Sequence, residues 1–248
     1  MGSALMEPGL LTAVLWGGLA AASLLIGYAL SRRQLPKRTV GLVMGLGAGA
    51  LIGAIAYELI PEVILVEPGT VIACGLGALA FFAGDWIVDR RGGEARKGLE
   101  AGGPEGSGAA IAIGTLLDAV PESIVLGMGL ALNGAVNLAF LAAVLLSNIP
   151  EGIAGSLNLS SAGQSQRSIL RMWVTLVVLS AMCAGLGYLL VLQLPSTDGH
   201  MAQAFAAGAV LTMLSDAMIP EAHDHGGKVV GLFTVLGFLA AAALAVAQ

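Results

Sequence analysis

Stretches of about twenty apolar residues recur along this whole chain, and that recurrence leaves few folds open to it. They occupy residues 9–30, 40–60, 70–88, 108–131, 135–158, 172–194, 201–219 and 228–247. A helix rising about 1.5 Å per residue needs about 20 residues to cross the hydrocarbon core of a bilayer. Only 11% of the 248 residues are charged while 57% are hydrophobic. A soluble domain carries roughly a quarter charged residues, so the surroundings of this chain are lipid. The expected fold is all-α: a polytopic membrane protein of eight transmembrane helices, forming one transmembrane domain over residues 1–248. Glu7 and the lack of a basic run before the first stretch make that stretch an expected retained span rather than a cleaved signal.

The spans are rich in Gly and Ala, which lets helix backbones approach closely in lipid. Gly45, Gly49 and Gly53 recur every fourth residue on one face of the second span. The one long hydrophilic connection, 89–107, mixes charges with Gly92, Gly93, Gly102, Gly103 and Gly106 and reads as a flexible cytoplasmic loop. Cys74 and Cys183 sit in apolar stretches without metal or redox spacing and read as packing residues. The net charge of −5 argues against nucleic acid as a partner.

The basic residues orient the chain. Arg32, Arg33, Lys37 and Arg38 lie between spans one and two, and Arg90, Arg91, Arg96 and Lys97 between three and four. Arg167 and Arg171 lie between five and six, and Lys228 between seven and eight. With eight spans all of them fall on one side, which is the cytoplasm. Both termini then face outward. Trp86 reads as an interfacial anchor, with Asp85 near headgroups or Arg90.

Ionisable groups inside spans are costly and mark function. Span four holds Asp118 and Glu122 at i,i+4, with Pro121 between them. Span five holds Ser147, Asn148 and Glu151, with Pro150 beside the acid. A connection of a few residues, 131–136, makes these spans antiparallel neighbours, so the two polar faces meet near mid-membrane. Each proline removes a backbone donor, freeing the carbonyls of Leu117 and Leu146; broken backbone at this depth is tolerated where it lines a cavity. Three carboxylates, an amide, hydroxyls and free carbonyls make an oxygen-rich cage suited to a divalent cation, harder ions in particular. Glu58 on span two is a further candidate ligand.

A second pair of motifs points to internal symmetry. Ala48-Gly49-Ala50 precedes Ile60-Pro61-Glu62 by the same interval at which Ala207-Gly208-Ala209 precedes Ile219-Pro220-Glu221. Spans two and seven run in opposite directions, so the two are expected as inverted copies, within a repeat of spans 1–3 and 6–8 around spans 4–5. Such repeats with a midplane site are a transporter signature. Glu62 and Glu67 would sit at the outer mouth, and Asp216, Glu221, His223 and His225 along an inward path. His200, Met128 and Met213 read as ordinary loop or packing residues.

Over nearly its full length the chain resembles the ZIP family of metal transporters, bacterial branch. The carriers of the likeness are Asp118-Ala119-Val120-Pro121-Glu122-Ser123 in span four, Ser147-Asn148-Ile149-Pro150-Glu151-Gly152 in span five, and Phe205 to His225 in span seven. The resemblance implies eight spans, a cell (inner) membrane location, a homodimer, and divalent-cation transport toward the cytoplasm through a midplane site, with zinc, manganese or iron(II) as cargo and no cofactor. It also departs from the family pattern. Asp118 stands in place of a His and Ala119 in place of an Asn, and Ser147 leads the span-five motif. The stretch Ser180 to Gly187 in span six has no acid. The expectation is a site of Asp118, Glu122 and Glu151, helped by Asn148, Ser147 and Glu58, with weaker zinc selectivity. A cation channel or a metal sensor would keep the same cage. An intramembrane enzyme has less support: Ala83-Gly84-Asp85 lacks a Tyr-Asp partner, and the serines lack an intramembrane His.

Overall fold

A computed structural model describes residues 8–33, 35–60, 67–90, 108–193 and 196–247, without the side chains of residues 8, 108–110 and 196–198. Glu62 and all but the first two residues of the 89–107 connection lie outside the described residues. The described chain is helical throughout, with no strand. Its elements are α1 (Pro8–Ser31), α2 (Lys37–Ala54, continued by a π-helical turn Ile55–Leu59), α3 (Pro68–Val88) and α4 (Gly108–Asn133). There follow α5 (Leu138–Ser161), α6 (Gln166–Gln193), α7 (Ser196–Met213, continued by a π-helical turn Leu214–Met218 and by Ile219–Gly226) and α8 (Val230–Val246).

The helix ends follow local chemistry. Pro68 starts α3, where its missing donor costs nothing. The Asn137 side chain caps α5 by accepting from the Phe140 N–H at 2.7 Å. Helix α6 begins six residues before its apolar stretch, because Ser165 Oγ accepts from the Ser168 N–H at 3.2 Å and the polar first turns are good helix formers. Gly134 and Gly227 take φ of 71° and 67°, which ends α4 and α7 at little steric cost.

Seven helical stretches are long and apolar enough to cross a membrane, with Gly199–Val246 counted as one stretch of 48 residues. The protein is therefore an all-helical, multi-pass membrane protein. That last stretch is broken at Gly227. The packing of α2 shows what the break does: Gly41, Gly45, Gly49 and Gly53 meet Gly226, Val230, Thr234 and Phe238 in order, so α2 runs parallel to α8. The same helix meets α7 in reverse order, Met44 beside Met213 and Met218, and Glu58 beside Gln203. The chain therefore reverses direction at Gly227. The glycine stripe expected on α2 is the face that α8 covers.

The other contacts keep to the same alternation. Helices α1 and α6 are antiparallel, with Gly9 against Tyr188 and Gly17 against Ala184. Helices α3 and α7 are parallel, with Gly69 against Met201 and Gly208 against Cys74. Helix α1 runs beside α5 at Gly27 and Gly152, and α6 runs beside α4 at Gly187 and Gly127. Every described Lys and Arg consequently lies at one end of the bundle. There Arg90 stacks over the Trp86 ring at 3.6 Å, while Asp85 is buried.

Burial separates the helices into two kinds. Helices α2, α4 and α5 are mostly enclosed, whereas α1, α3, α6 and α8 turn apolar side chains outward, with Leu232 68% exposed. The largest core cluster joins α2, α4, α5 and α7 through residues such as Leu51, Ile55, Val125, Leu126, Phe140, Val144 and Val210. Trp173 of α6 anchors a second cluster, its indole N–H donating to Ser156 Oγ at 2.9 Å.

Candidate metal centre

Two carboxylates meet in the enclosed middle of the bundle. Glu122 of α4 and Glu151 of α5 are 3% and 9% exposed, and both line one small cavity with Ser147, Met44, Met213 and Met218. The cavity measures about 10 Å³, room for about one water molecule or bare ion. Each wall has a local cause. Pro121 and Pro150 stand one residue before the two acids. Gly47 lets α2 close onto the Ser147 backbone and so brings Met44 alongside. The Ser147 hydroxyl donates to the Val144 carbonyl at 3.0 Å, which leaves its lone pairs available to the cavity.

The two methionines of α7 reach the cavity because of the π-helical turn between them. Residues five apart on a regular α-helix point well away from each other. Within Leu214–Met218 the helix is wider, and the Ile219 N–H bonds back to the Leu214 carbonyl. Pro220 follows at once, and it has no N–H for the carbonyl of Asp216. Met213 and Met218 thus come to one side of α7.

The six site residues expected from the sequence divide. Glu122, Ser147 and Glu151 share the cavity. Asp118 is buried at 1% exposure but does not line it. Asn148 turns toward α1, its Nδ2 donating to the Ala20 carbonyl at 3.1 Å. Glu58 belongs to another cavity, referred to below as the outer one, nearer the end of the bundle away from the basic residues. Among the described residues, no three His, Cys, Asp or Glu side chains converge closely enough to hold one metal ion. An ion between Glu122 and Glu151 would therefore complete its shell from the Ser147 hydroxyl, the methionine sulfurs or water. Met44, Met213 and Met218 were not read as ligands in the sequence. For Met213 and Met218 the signal was the Ile219-Pro220-Glu221 motif after the π turn, which apolar periodicity does not reveal.

The outer cavity is also about 10 Å³. Its polar lining is Glu58, Asn133, Asn137 and Gln203, and its apolar lining includes Leu59, Val125, Leu126 and Phe140. The same four helices, α2, α4, α5 and α7, wall both cavities. The apolar core cluster lines both, with Met44, Met213 and Met218 at the inner cavity and Leu59, Val125, Leu126 and Phe140 at the outer one.

The residues expected along an inward path are placed as follows. Asp216 is exposed and lines an open groove between α3 and α7, with Cys74, Thr212 and Ser215. Glu221 meets His225 Nε2 at 2.6 Å on the last turns of α7, and His223 and Asp224 are exposed there. Glu67 is exposed at the start of α3, and His200 is exposed near the start of α7.

No protein-family model matches the chain, and no curated protein matches its sequence. The class the structure itself defines is an all-helical, multi-pass membrane protein with a paired-carboxylate cavity enclosed among its helices.

Proposed function

We propose that this protein is a carrier for divalent metal cations, moving them across the cell (inner) membrane toward the cytoplasm. The observation that carries this reading is the cavity of Glu122, Glu151, Ser147 and three thioethers. Two acids buried at this depth are costly unless an ion or proton offsets them, and an all-donor lining has no group to hold an anion. Oxygen and sulfur donors in one shell suit borderline ions such as zinc or iron(II) at least as well as manganese.

The reading includes eight crossings, one each for α1 to α8, since the directions of the helices alternate and the chain reverses at Gly227. It places the basic end in the cytoplasm and both termini outside, and takes the working unit as a homodimer, as the likeness to the ZIP family implies. It also includes an inverted repeat. The two π-helical turns, Ile55–Leu59 and Leu214–Met218, stand at equivalent positions, 159 residues apart. Gly49 packs on Thr234 as Gly208 packs on Cys74, and Gly237 packs on Leu46 as Gly77 packs on Phe205. Each pair is the other shifted by 159 or 160 residues. Two matched helix pairs around a closed central site are what alternating access requires. The apolar side chains packed around both cavities favour a carrier over an open channel.

The test is uptake by purified protein in liposomes across a panel of zinc, manganese, iron(II) and cadmium. The wild type should accumulate at least one of these against a protein-free control. Uptake unaffected by Glu122→Ala and Glu151→Ala together would overturn the site.

A further inference from the structure

An open groove of about 430 Å³ runs between α3 and α7, within the size range of small-molecule sites. Its α3 wall is apolar, with Ala78, Leu79 and Phe82, while its α7 wall carries Thr212, Ser215 and Asp216. The matching place elsewhere in the molecule is occupied. Gly49 on Thr234 and Gly208 on Cys74 correspond at a shift of 159 or 160 residues. At that shift Tyr57 and Phe238 fall on Asp216 and Ala78. The Tyr57 and Phe238 rings stand 6.0 Å apart, one on α2 and one on α8. On α7 and α3 a carboxylate and a methyl group take their places, and the groove stays open.

The polar groups of the groove are all acceptors. Asp216 is exposed on a helix that crosses the bilayer, and a charge in that position is rare and takes a partner. The Ser215 and Thr212 hydroxyls donate to the Leu211 and Gly208 carbonyls at 2.9 and 3.0 Å, so toward the groove they offer lone pairs. An ammonium group brings three donors and no acceptor. A positive charge of the protein stands near the same end. Leu79, Phe82, Trp86 and Arg90 share one face of α3, at i, i+3, i+7 and i+11. Arg90 lies over the Trp86 ring at 3.6 Å, a stack that leaves the N–H edge of the guanidinium for an anion. Helices α3 and α7 are parallel, with Gly69 beside Met201. At the same offset Asp216 comes level with Gly84, about 3 Å of axial rise from Trp86 at 1.5 Å per residue. An apolar track therefore leads toward the basic end of the bundle and finishes between an acid and a guanidinium.

We infer that this groove holds a phospholipid whose headgroup carries a primary ammonium, as in phosphatidylethanolamine. The ammonium donates to Asp216, Ser215 and Thr212, the phosphate meets Arg90, and one acyl chain lies along Ala78, Leu79 and Phe82. A choline headgroup has no N–H to donate and a glycerol headgroup brings no cation, so neither satisfies the acid. The bound lipid needs the bilayer but no metal, and so stands apart from the transport reading.

The experiment is native mass spectrometry of the full chain, purified in detergent and titrated with phosphatidylethanolamine, phosphatidylcholine or phosphatidylglycerol of identical acyl chains. The wild type should hold one phosphatidylethanolamine per chain, bound about tenfold more tightly than the other two, the scale of a hydrogen bond to a charged group. Asp216→Asn, which keeps the side-chain shape, should bring phosphatidylethanolamine down to the phosphatidylcholine level. Arg90→Ala should weaken all three lipids several-fold, because all three carry the phosphate. Ala78→Phe, which puts a ring where Phe238 stands in the other helix pair, should expel all three. Equal affinity of the wild type for the three lipids, or a phosphatidylethanolamine preference that survives Asp216→Asn, overturns the site. A second copy of the chain seated in the groove overturns it too; that would show as a dimer without bound phosphatidylethanolamine that Ala78→Phe converts to monomer.

Discussion

The inner and outer cavities are built by the same four helices, yet they hold opposite chemistry. The inner one pairs two carboxylates with a hydroxyl and three thioethers; the outer one offers a single carboxylate and neutral amides. Both are about one ion in size. Apolar side chains of one core cluster from α2, α4, α5 and α7 pack around both. Charge count and softness, rather than space, thus distinguish the two positions.

That contrast can be broken most directly at the inner acids. Glu122→Ala or Glu151→Ala should each lower metal uptake by about 100-fold or more, since lost ligand charge costs decades of affinity. The protein should still insert, as measured by its yield in the membrane fraction. Equal uptake in wild type and either variant would remove the inner cavity from the pathway.

Acidity probes the same carboxylates. They must be deprotonated to bind a cation, so protons compete with metal. Lowering the pH from about 7.5 to about 5.5 should reduce initial uptake by up to tenfold or so, and raising the metal concentration should restore it. Uptake that rises on acidification would point to carboxylic acids acting as proton donors instead.

Smaller effects should sharpen the difference in softness. Met213→Leu and Met218→Leu together conserve volume, so the fold should persist. They should shift the cadmium-to-manganese uptake ratio toward manganese by about fivefold, because thioethers favour the softer ion. Met128→Leu, buried on α4 outside both cavities, is the control and should leave the ratio alone.

Much of the architecture was legible from apolar length alone. The described helices start and end within a few residues of the apolar stretches, apart from α6 and α7, whose polar ends continue past the hydrophobic run as helix. The caps that decide this, Ser165 and Gly227, are local and readable once the helix is known. The candidate site was half legible. Glu122, Ser147 and Glu151 come together as their spacing implied, because one short turn at Gly134 aligns α4 and α5. Asp118, one turn from Glu122, was read as part of the same cluster, but it turns out not to line the cavity. Asn148 follows Ser147 in sequence, but on a helix adjacent residues face different neighbours, and its neighbour is α1. Met213 looked like packing because its spacing to Met218 makes sense only with a π-helical turn.

By itself the sequence determined the solvent, the helices, the grouping of basic residues in alternate connections and the placement of the acids within apolar helices, since each follows from the chemistry of contiguous residues in lipid. Only the tertiary structure decided which donors share a cavity. That depends on how helices far apart in the chain rotate and cross, and here it is the close approaches at Gly47, Gly49 and Gly208 and the widened turns of α2 and α7 that set it. Glu58 shows the difference most clearly: its acidity at membrane depth was plain in the sequence, but its company of amides rather than carboxylates was decided by packing between α2, α4, α5 and α7.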